Sequence, residues 1–292
     1  MTPASARAAG WHRLRNPHTD AVYGGFLVPG LVLLLLGYLM PVAQVLWISV
    51  TEPTLGVGNY AAMFENPIVQ RVVWTTVRIC TLTTVITVLL GYVVAYLLTH
   101  VSERMRRLLL LAVLVPLWLS VLARAFAWVM LLRSNGIINS VLLDAGLIEH
   151  PLDMMRNEFG IAVGMIHYML PYAILPLLAN LQGIDQRLIA AARGLGASPA
   201  TAFLKIFLPL SVPGIAGAAT LVFVFSLGFY VTPAILGGGK TLMIAEMIAV
   251  NILTNLRWGL ATALACSLLA TVLVTLGLMS RVVGTRRLFG LS

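Results

Sequence analysis

A short polar segment between two long apolar stretches reads Leu188-Ile-Ala-Ala-Ala-Arg-Gly-Leu-Gly-Ala-Ser-Pro-Ala-Thr-Ala-Phe-Leu-Lys-Ile-Phe-Leu-Pro209. The segment is positively charged and rich in small residues. Small side chains let the backbone of another helix or protein approach closely. The segment therefore predicts a docking element that connects two membrane-spanning helices.

Local signals divide this element into two helices. Asp185 is placed to cap a first helix, which the alanine run 190–192 favours through its high helix propensity. Gly196 is placed to end that helix with a positive φ. Ser198 and Pro199 then predict a second start, with serine as the N-cap and proline in the first helical position. The sequence predicts a helix–turn–helix that leads into the next apolar stretch.

Composition requires lipid as the main solvent. Of the 292 residues 60% are hydrophobic and only 10% are charged, whereas soluble proteins carry about 25% charged residues. The net charge of +9 does not form one patch, because the basic residues recur in short clusters between apolar runs. This pattern is typical of topology signals and argues against a nucleic-acid partner. Cys80 and Cys266 both lie in apolar runs without CxxC spacing, which gives no metal or redox motif.

Six apolar segments are long enough to cross about 30 Å of hydrocarbon, which takes roughly 20 residues each. A backbone in lipid must satisfy its own hydrogen bonds, and barrel-type alternation is absent, so all six are expected to be helices. The sequence therefore predicts an all-α integral membrane protein with six transmembrane helices. The predicted spans are residues 22–50, 72–99, 107–132, 159–182, 204–230 and 259–282.

Two irregularities are expected outside this simple pattern. Pro171 and Pro176 predict an interruption of the fourth helix, either to line a cavity or only to shape its packing. The external connection 134–158 contains residues 137–147, which predict a short helix lying on the membrane surface. Neither feature changes the fold class.

The distribution of basic residues predicts the orientation. Twelve of the 19 Lys and Arg residues fall near positions 7–15, 104–107, 187–205 and 281–287, which six spans place on one side. The positive-inside rule assigns that side, with both termini, to the cytoplasm. The expected domains are a cytoplasmic N-terminal tail at 1–20, a transmembrane permease domain at 21–285 and a cytoplasmic C-terminal tail at 286–292.

The polar segment resembles the cytoplasmic "EAA" loop of type I, binding-protein-dependent ABC importer permeases. The family pattern is Glu-Ala-Ala, three residues, Gly, nine residues, Ile, one residue, Leu-Pro. The spacing here is the same, with one departure: Ala190 stands where the family usually carries Glu. The resemblance implies that residues 185–204 form a coupling loop that docks an ATPase, with Arg193 at the contact. The positions that correspond to the motif are Ala190, Ala191, Ala192, Gly196, Ile206, Leu208 and Pro209.

Three further stretches, residues 58–64, 124–142 and 228–249, are similar to the spermidine/putrescine-type permeases. The resemblance implies a polyamine permease in the bacterial cytoplasmic membrane that spans it several times. It also implies three kinds of protein partner: two ABC ATPase subunits, a second homologous permease, and a periplasmic or surface-tethered binding protein. ATP and Mg²⁺ would sit on the ATPase, so this chain is expected to have no catalytic residue, metal or cofactor. The alternatives are import of another solute, such as an aminophosphonate, or an ion-gradient secondary transporter.

Four residues are candidates for the substrate pathway, because ionisable groups in membrane segments are often functional. Arg124 is either a gate or binding-protein contact or a snorkelling interfacial arginine. Tyr168 and Tyr172 either attract substrate ammonium groups through their ring faces or make interhelical hydrogen bonds. Glu246 is either the acid for a polyamine ammonium, on a short re-entrant segment, or a solvated loop charge.

Overall fold

The computed structural model describes residues 17–283. The predicted tails therefore lie mostly outside the described residues, and so do Arg7, Arg13, Arg15, Arg286 and Arg287. Every regular element between residues 17 and 283 is a helix. Six helical segments in this range are long and apolar enough to cross a membrane, which confirms the predicted all-α fold and the number of spans.

Fourteen α-helices are assigned between residues 17 and 283, and two short π-helical turns join some of them. In chain order the elements are α1 Pro17–Leu34, a π-turn at Leu35–Leu39, α2 Met40–Thr51, α3 Gly58–Glu65, α4 Pro67–His100, α5 Glu103–Trp118, α6 Val121–Leu132, α7 Ile137–Asp144, α8 Glu158–Gln182, α9 Gln186–Gly194, α10 Pro199–Ala202, a π-turn at Phe203–Phe207, α11 Leu208–Leu227, α12 Val231–Gly237, α13 Ile244–Leu253 and α14 Trp258–Val283.

The chain divides by its internal contacts into two units, residues 1–48 and 49–292. In the first unit the described chain is helical throughout, and every side chain from Phe26 to Met40 is exposed. Apolar side chains without a protein neighbour suit a helix whose surroundings are lipid. The predicted domain bounds stay a prediction.

The second unit is built around α4, α8 and α11, which pack against one another more extensively than any other three helices described. Their shared core contains fully buried Ala95, Met169, Leu177 and Val222. Gly91 allows the close approach of α4 to α8, because a Cβ at this position would lie 3.0 Å from that of Ala173. Small residues at helix contacts are the usual means of tight packing in membranes.

The predicted third span is not one continuous helix. The chain forms α5 up to Trp118, passes through extended Leu119, and begins α6 after Ser120. Pro116 lies in the last turn of α5, but proline disturbs the turn before it, which stays helical here, so Pro116 alone does not account for the end at Trp118. The prediction of one continuous third span at residues 107–132 is therefore wrong.

The prediction that Pro171 and Pro176 interrupt the fourth span is also wrong. Helix α8 runs without a break from Glu158 to Gln182, and both prolines lie inside it. Buried Pro171 and half-buried Pro176 pack among neighbouring helices. In lipid a helix retains its remaining hydrogen bonds, since an unwound backbone would leave polar groups unsatisfied. The short helix predicted within residues 137–147 is present as α7, and its position on the outer side stays a prediction.

Candidate functional site

The first half of the predicted coupling loop has the expected geometry. A carboxylate oxygen of Asp185 accepts a hydrogen bond from the backbone N–H of Arg187 at 2.9 Å and so caps α9. Helix α9 ends at Gly194, and Gly196 follows with a φ of +88°. The alanine run 190–192 lies on α9, where its first two residues are exposed and the third is half-buried. This half of the loop presents backbone and small side chains to its surroundings.

The second half of the loop is continuous with the fifth span. The hydroxyl of Ser198 accepts a hydrogen bond from the backbone N–H of Thr201 at 3.2 Å, and Pro199 takes the first helical position. From there α10, the π-turn Phe203–Phe207 and α11 follow one another without a non-helical residue. The predicted loop therefore leads into one unbroken helical segment that reaches Leu227. Of the motif positions in this half, Ile206 and Leu208 are half-buried and Pro209 is exposed.

Arg124 lies one turn into α6, close to the break between α5 and α6. Only 7% of the residue is exposed, so the alternative of an arginine that extends to the interface is wrong. Its guanidinium carbon lies 4.2 Å from the centre of the Tyr168 ring. Nothing in the described part of the chain forms a hydrogen bond with Nε or Nη1 of Arg124. A buried cation is thus held mainly by an aromatic face, which attracts it through the ring quadrupole.

Tyr168 and Tyr172 belong to a cluster of four aromatic rings. The two tyrosine rings stack along α8 with centroids 5.9 Å apart. Phe229 packs against Tyr168 at 4.5 Å, and Phe225 meets Tyr172 edge-on at 5.2 Å. Two of these rings come from α8 and two from the end of α11 and the segment after it. The structure therefore brings Arg124, Tyr168 and Tyr172 together, as parts of one cluster.

Next to this cluster, His167 receives a hydrogen bond at its Nδ1 from the indole N–H of Trp128, at 3.3 Å. The two rings are nearly perpendicular, with centroids 5.6 Å apart. Trp128 lies one turn after Arg124 on α6, so α6 contacts α8 through two consecutive turns. Interhelical hydrogen bonds of this kind fix the rotation of helices in membranes.

Glu246 lies in the first turn of α13, on a segment too short to span the membrane. The residue is 6% exposed, so the alternative of a solvated loop charge is wrong. Its Oε2 has no hydrogen-bond partner within residues 17–283. Burial raises the pKa of the Glu246 carboxyl, and the backbone N–H of Met243 opposes this shift. The site is a buried acid whose Oε2 is enclosed and has no hydrogen-bond partner among residues 17–283.

The structure places Glu246 and the Arg124 cluster on different elements. Helix α13 packs against α4 and α14, whereas Arg124 and Tyr168 lie on α6 and α8. A hydrogen bond from the backbone N–H of Ile244 to the hydroxyl of Thr76, 2.9 Å long, ties the start of α13 to α4. No described hydrogen bond or ion pair joins Glu246 to the Arg124 cluster. The four predicted pathway residues thus form two sites.

Sequence reasoning missed several polar groups of the second unit. Arg78 on α4 forms an ion pair with Glu158 at the start of α8. Thr83, Thr87 and Ser226 are buried hydroxyls without a hydrogen-bond partner in the part of the chain that the structure describes. The Arg78–Glu158 pair joins residues 80 positions apart. No local pattern links positions so distant, and hydroxyls of this kind are common in membrane helices.

Comparison with known proteins identifies the class of the chain. Residues 57–287 match the family described as "Binding-protein-dependent transport system inner membrane component". The spermidine/putrescine transport system permease protein PotB of Haemophilus influenzae is 33% identical over 197 residues, which are 68% of each chain. The inner membrane ABC transporter permease protein YdcU of Escherichia coli is 30% identical over 240 residues, covering 71% of this chain and 75% of that protein.

The fold also matches solved structures. The crystal structure of a bacterial alginate ABC transporter, in complex with an alginate-pentasaccharide-bound periplasmic protein, aligns with a TM-score of 0.76. The alignment covers 92% of this chain and 96% of that one at 18% sequence identity. A likeness at this identity shows the fold.

These matches confirm the predicted class and exclude the ion-gradient secondary transporter. The chain is a multi-pass protein of the cytoplasmic membrane and a permease subunit of an ABC importer that works with a binding protein. It is not an enzyme, since ATP hydrolysis belongs to a separate subunit. The chain belongs to the family of inner membrane components of binding-protein-dependent transport systems.

Proposed function

We propose that this permease imports polyamines, with putrescine and spermidine as its substrates. The observation that carries the proposal is the one-third identity with a relative whose name gives these two compounds. The buried carboxyl of Glu246 supports it, because a substrate ammonium would supply the partner that Oε2 lacks.

We further propose that the importer couples to ATP through residues 185–204. Two ATPase subunits would dock on this loop and on that of a second homologous permease, and each would bind its own ATP and Mg²⁺. Exposed Ala190 and Ala191 allow a close backbone approach, and exposed Arg193 offers a charge. Because the second loop helix continues into α11, a displacement of the loop would move the fifth span as a lever. This chain itself would hold no cofactor.

The proposed orientation places the loop and both chain termini in the cytoplasm. Two clusters of basic residues support it. The cluster near positions 104–107 follows α4, the cluster at 187–205 follows α8 and belongs to the loop, and clusters of this kind favour the cytoplasmic side. In this orientation the ion pair between Arg78 and Glu158 and the helix α7 lie towards the outer side. The binding protein would deliver substrate there.

A second substrate class is favoured by Arg124. A buried guanidinium whose Nε and Nη1 lack hydrogen bonds suits an anionic group, such as the phosphonate of an aminophosphonate. The polyamine proposal requires Arg124 to act as a gate or structural cation. The aminophosphonate proposal requires it to contact the substrate.

Stimulation of ATP hydrolysis separates the two. The complete importer would be reconstituted in liposomes with its binding protein, and ATPase activity would be measured with spermidine or with 2-aminoethylphosphonate. We expect stimulation by spermidine alone. Stimulation by the phosphonate alone, lost in Arg124→Gln and retained in Arg124→Lys, would replace the polyamine proposal with the second one.

The role of Glu246 gives a sharper test within the polyamine proposal. An ionised Glu246 binds ammonium and a protonated one does not, so spermidine uptake should fall as pH decreases through the raised pKa of this carboxyl. The variant Glu246→Gln should have low uptake and lose this pH dependence. Glu103→Gln is the matched control, because that carboxyl is exposed and forms an ion pair with Arg107 on the surface of α5. An unchanged pH profile in Glu246→Gln would remove Glu246 from the pathway.

A further inference from the structure

The cytoplasmic end of α4 contacts the beginning of the fifth span through aromatic rings. Tyr96, one turn before the end of α4, meets Phe203 edge-on with centroids 5.7 Å apart and Phe207 edge-on at 5.4 Å. His100 covers the same tyrosine ring at 4.3 Å. Edge-to-face contacts are favourable arrangements for aromatic rings. Tyr96 therefore packs against two rings of the π-turn that connects the loop to the fifth span.

The π-turn Phe203–Phe207 presents these two rings on one side. The backbone N–H of Leu208 donates to the carbonyl oxygen of Phe203, which is the wide hydrogen bond of a π-helix. The rings of Phe203 and Phe207 stack with centroids 5.7 Å apart and an angle of 22°. Such turns are rare and occur frequently at functional sites.

The loop helix α9 lies beside the same group of rings. Ile189 packs against the core cluster that contains Leu98 of α4 and Phe207. A pocket of about 260 Å³ remains between the two sides, lined among others by Tyr96, Ile189 and Arg193. Helix α9 otherwise packs against α10 and the π-turn. The aromatic group is thus where the loop, the second span and the fifth span meet.

We propose that Tyr96 is a positioning residue that joins the coupling loop to the second span, so that α4 moves together with the loop and the fifth span. The proposal rests on the proposed docking of an ATPase at residues 185–204. A push on α9 reaches the fifth span through the chain itself, but it reaches α4 through packed side chains. Close-packed contacts transmit displacements as discrete rearrangements and do not yield gradually.

A distance measurement tests this directly and needs only ATP. Spin labels at Val93→Cys on α4 and Arg187→Cys on α9 report their separation in the assembled importer. Both native cysteines are buried, which keeps them from the label. We expect the same separation in the nucleotide-free and ATP-trapped states, and the same in Tyr96→Phe. In Tyr96→Leu the separation should change between the two states. A change in the otherwise native protein overturns the proposal.

ATP coupling gives a second, independent readout. The ratio of ATPase activity with and without spermidine-loaded binding protein should fall about fivefold or more in Tyr96→Leu, while basal ATPase stays near its normal level. Tyr96→Phe should restore the ratio because it keeps the ring, and Phe207→Leu should lower it. The double variant should be no worse than either single one, since both remove the same contact. A normal ratio in Tyr96→Leu and in Phe207→Leu overturns the proposal.

These experiments separate this inference from the proposed function. If spermidine fails to stimulate the unaltered importer, the polyamine proposal fails, and the spin-label distances still decide the role of Tyr96. If Tyr96→Leu does not assemble, Tyr96→Met retains comparable volume without an aromatic ring and takes its place. If the unaltered complex binds no ATPase at the loop, the docking proposal fails and this inference fails with it.

Discussion

The predicted coupling loop and the Arg124 cluster differ in where they place their arginine side chains. In the loop, Arg187 and Arg193 are exposed, and the capping groups of Asp185 and Ser198 satisfy backbone donors close by in sequence. In the cluster, Arg124 is buried and rests on an aromatic ring supplied by another helix. The first region is stabilised by contacts within the loop, and its two arginines stay exposed. The second depends on packing between distant segments, so its polar groups stay sensitive to any change in that packing.

The largest effect is expected from removing the ring under Arg124. Tyr168→Leu should destabilise the protein by about 2 kcal/mol, because the guanidinium would remain buried without its main partner. Thermal unfolding in lipid nanodiscs measures the change. Tyr168→Phe is the matched control and should preserve stability, since it keeps the aromatic face.

The double variant Arg124→Met/Tyr168→Leu makes this prediction specific. Removing the charge together with the ring should recover much of the lost stability, because no unpaired cation is left. If the double variant is as unstable as the sum of the two single variants, the cation–π contact is not what holds Arg124.

The next largest effect is expected at Gly196. Gly196→Val forces a β-branched residue to a φ of +88°, which costs roughly 1–2 kcal/mol. A Cβ at this position meets no other atom within 4 Å, so the cost comes from the backbone and not from a clash. We expect loss of substrate-stimulated ATPase activity with normal membrane insertion. Gly194→Ala is the control, because Gly194 lies in α9 and also has open space around it.

A normal stimulation in Gly196→Val would show that the turn between the two loop helices does not matter for coupling. It would also contradict the view that the loop, unlike the Arg124 cluster, depends on local backbone geometry, because Gly196→Val changes that geometry.

A smaller effect is expected at the cap of the second loop helix. Ser198→Ala removes the acceptor for the Thr201 N–H and should destabilise the start of α10 by about 1 kcal/mol. Hydrogen exchange of the amides at 199–202 should increase while that of α8 stays constant. Ser198→Asp should restore protection, because aspartate is an equally good N-cap. Equal exchange in all three proteins would mean that the fifth span alone holds this helix.

The smallest effect is expected from reversing an exposed charge. Arg193→Glu should weaken ATPase binding by about 1 kcal/mol or less, since exposed ion pairs contribute little. The loss should be greatest at low salt, because screening weakens such contacts. Affinity of the purified subunits at two salt concentrations measures it. Arg156→Glu, an exposed residue outside the loop, is the control; equal losses in both variants would exclude Arg193 from the docking contact.

The same contrast explains what the sequence could predict. The caps at Asp185 and Ser198 and the positive φ of Gly196 follow from interactions within three or four residues. The six spans follow from length and apolarity. All of these are properties of short windows of sequence, and they appear in the structure except for the third span, which is broken after Trp118.

The cluster around Arg124 depends on tertiary packing. Arg124 and Tyr168 are 44 positions apart, and their contact depends on how α6 is rotated after the break at Leu119 and Ser120. The break itself was missed because Pro116 signals a helix end no more strongly than Pro171, which lies inside a continuous helix. Whether a proline ends a helix depends on what the neighbouring helices can pack against it.

Polyamine import by a complex that needs this chain is the central proposal. The most direct measurement is uptake of radiolabelled putrescine and spermidine by cells that express the whole transport system, with and without this chain. We expect uptake to disappear when the chain is deleted and to return when it is supplied again. Unchanged uptake in the deletion, in cells without another polyamine importer, would contradict the account and assign this ABC permease a different substrate.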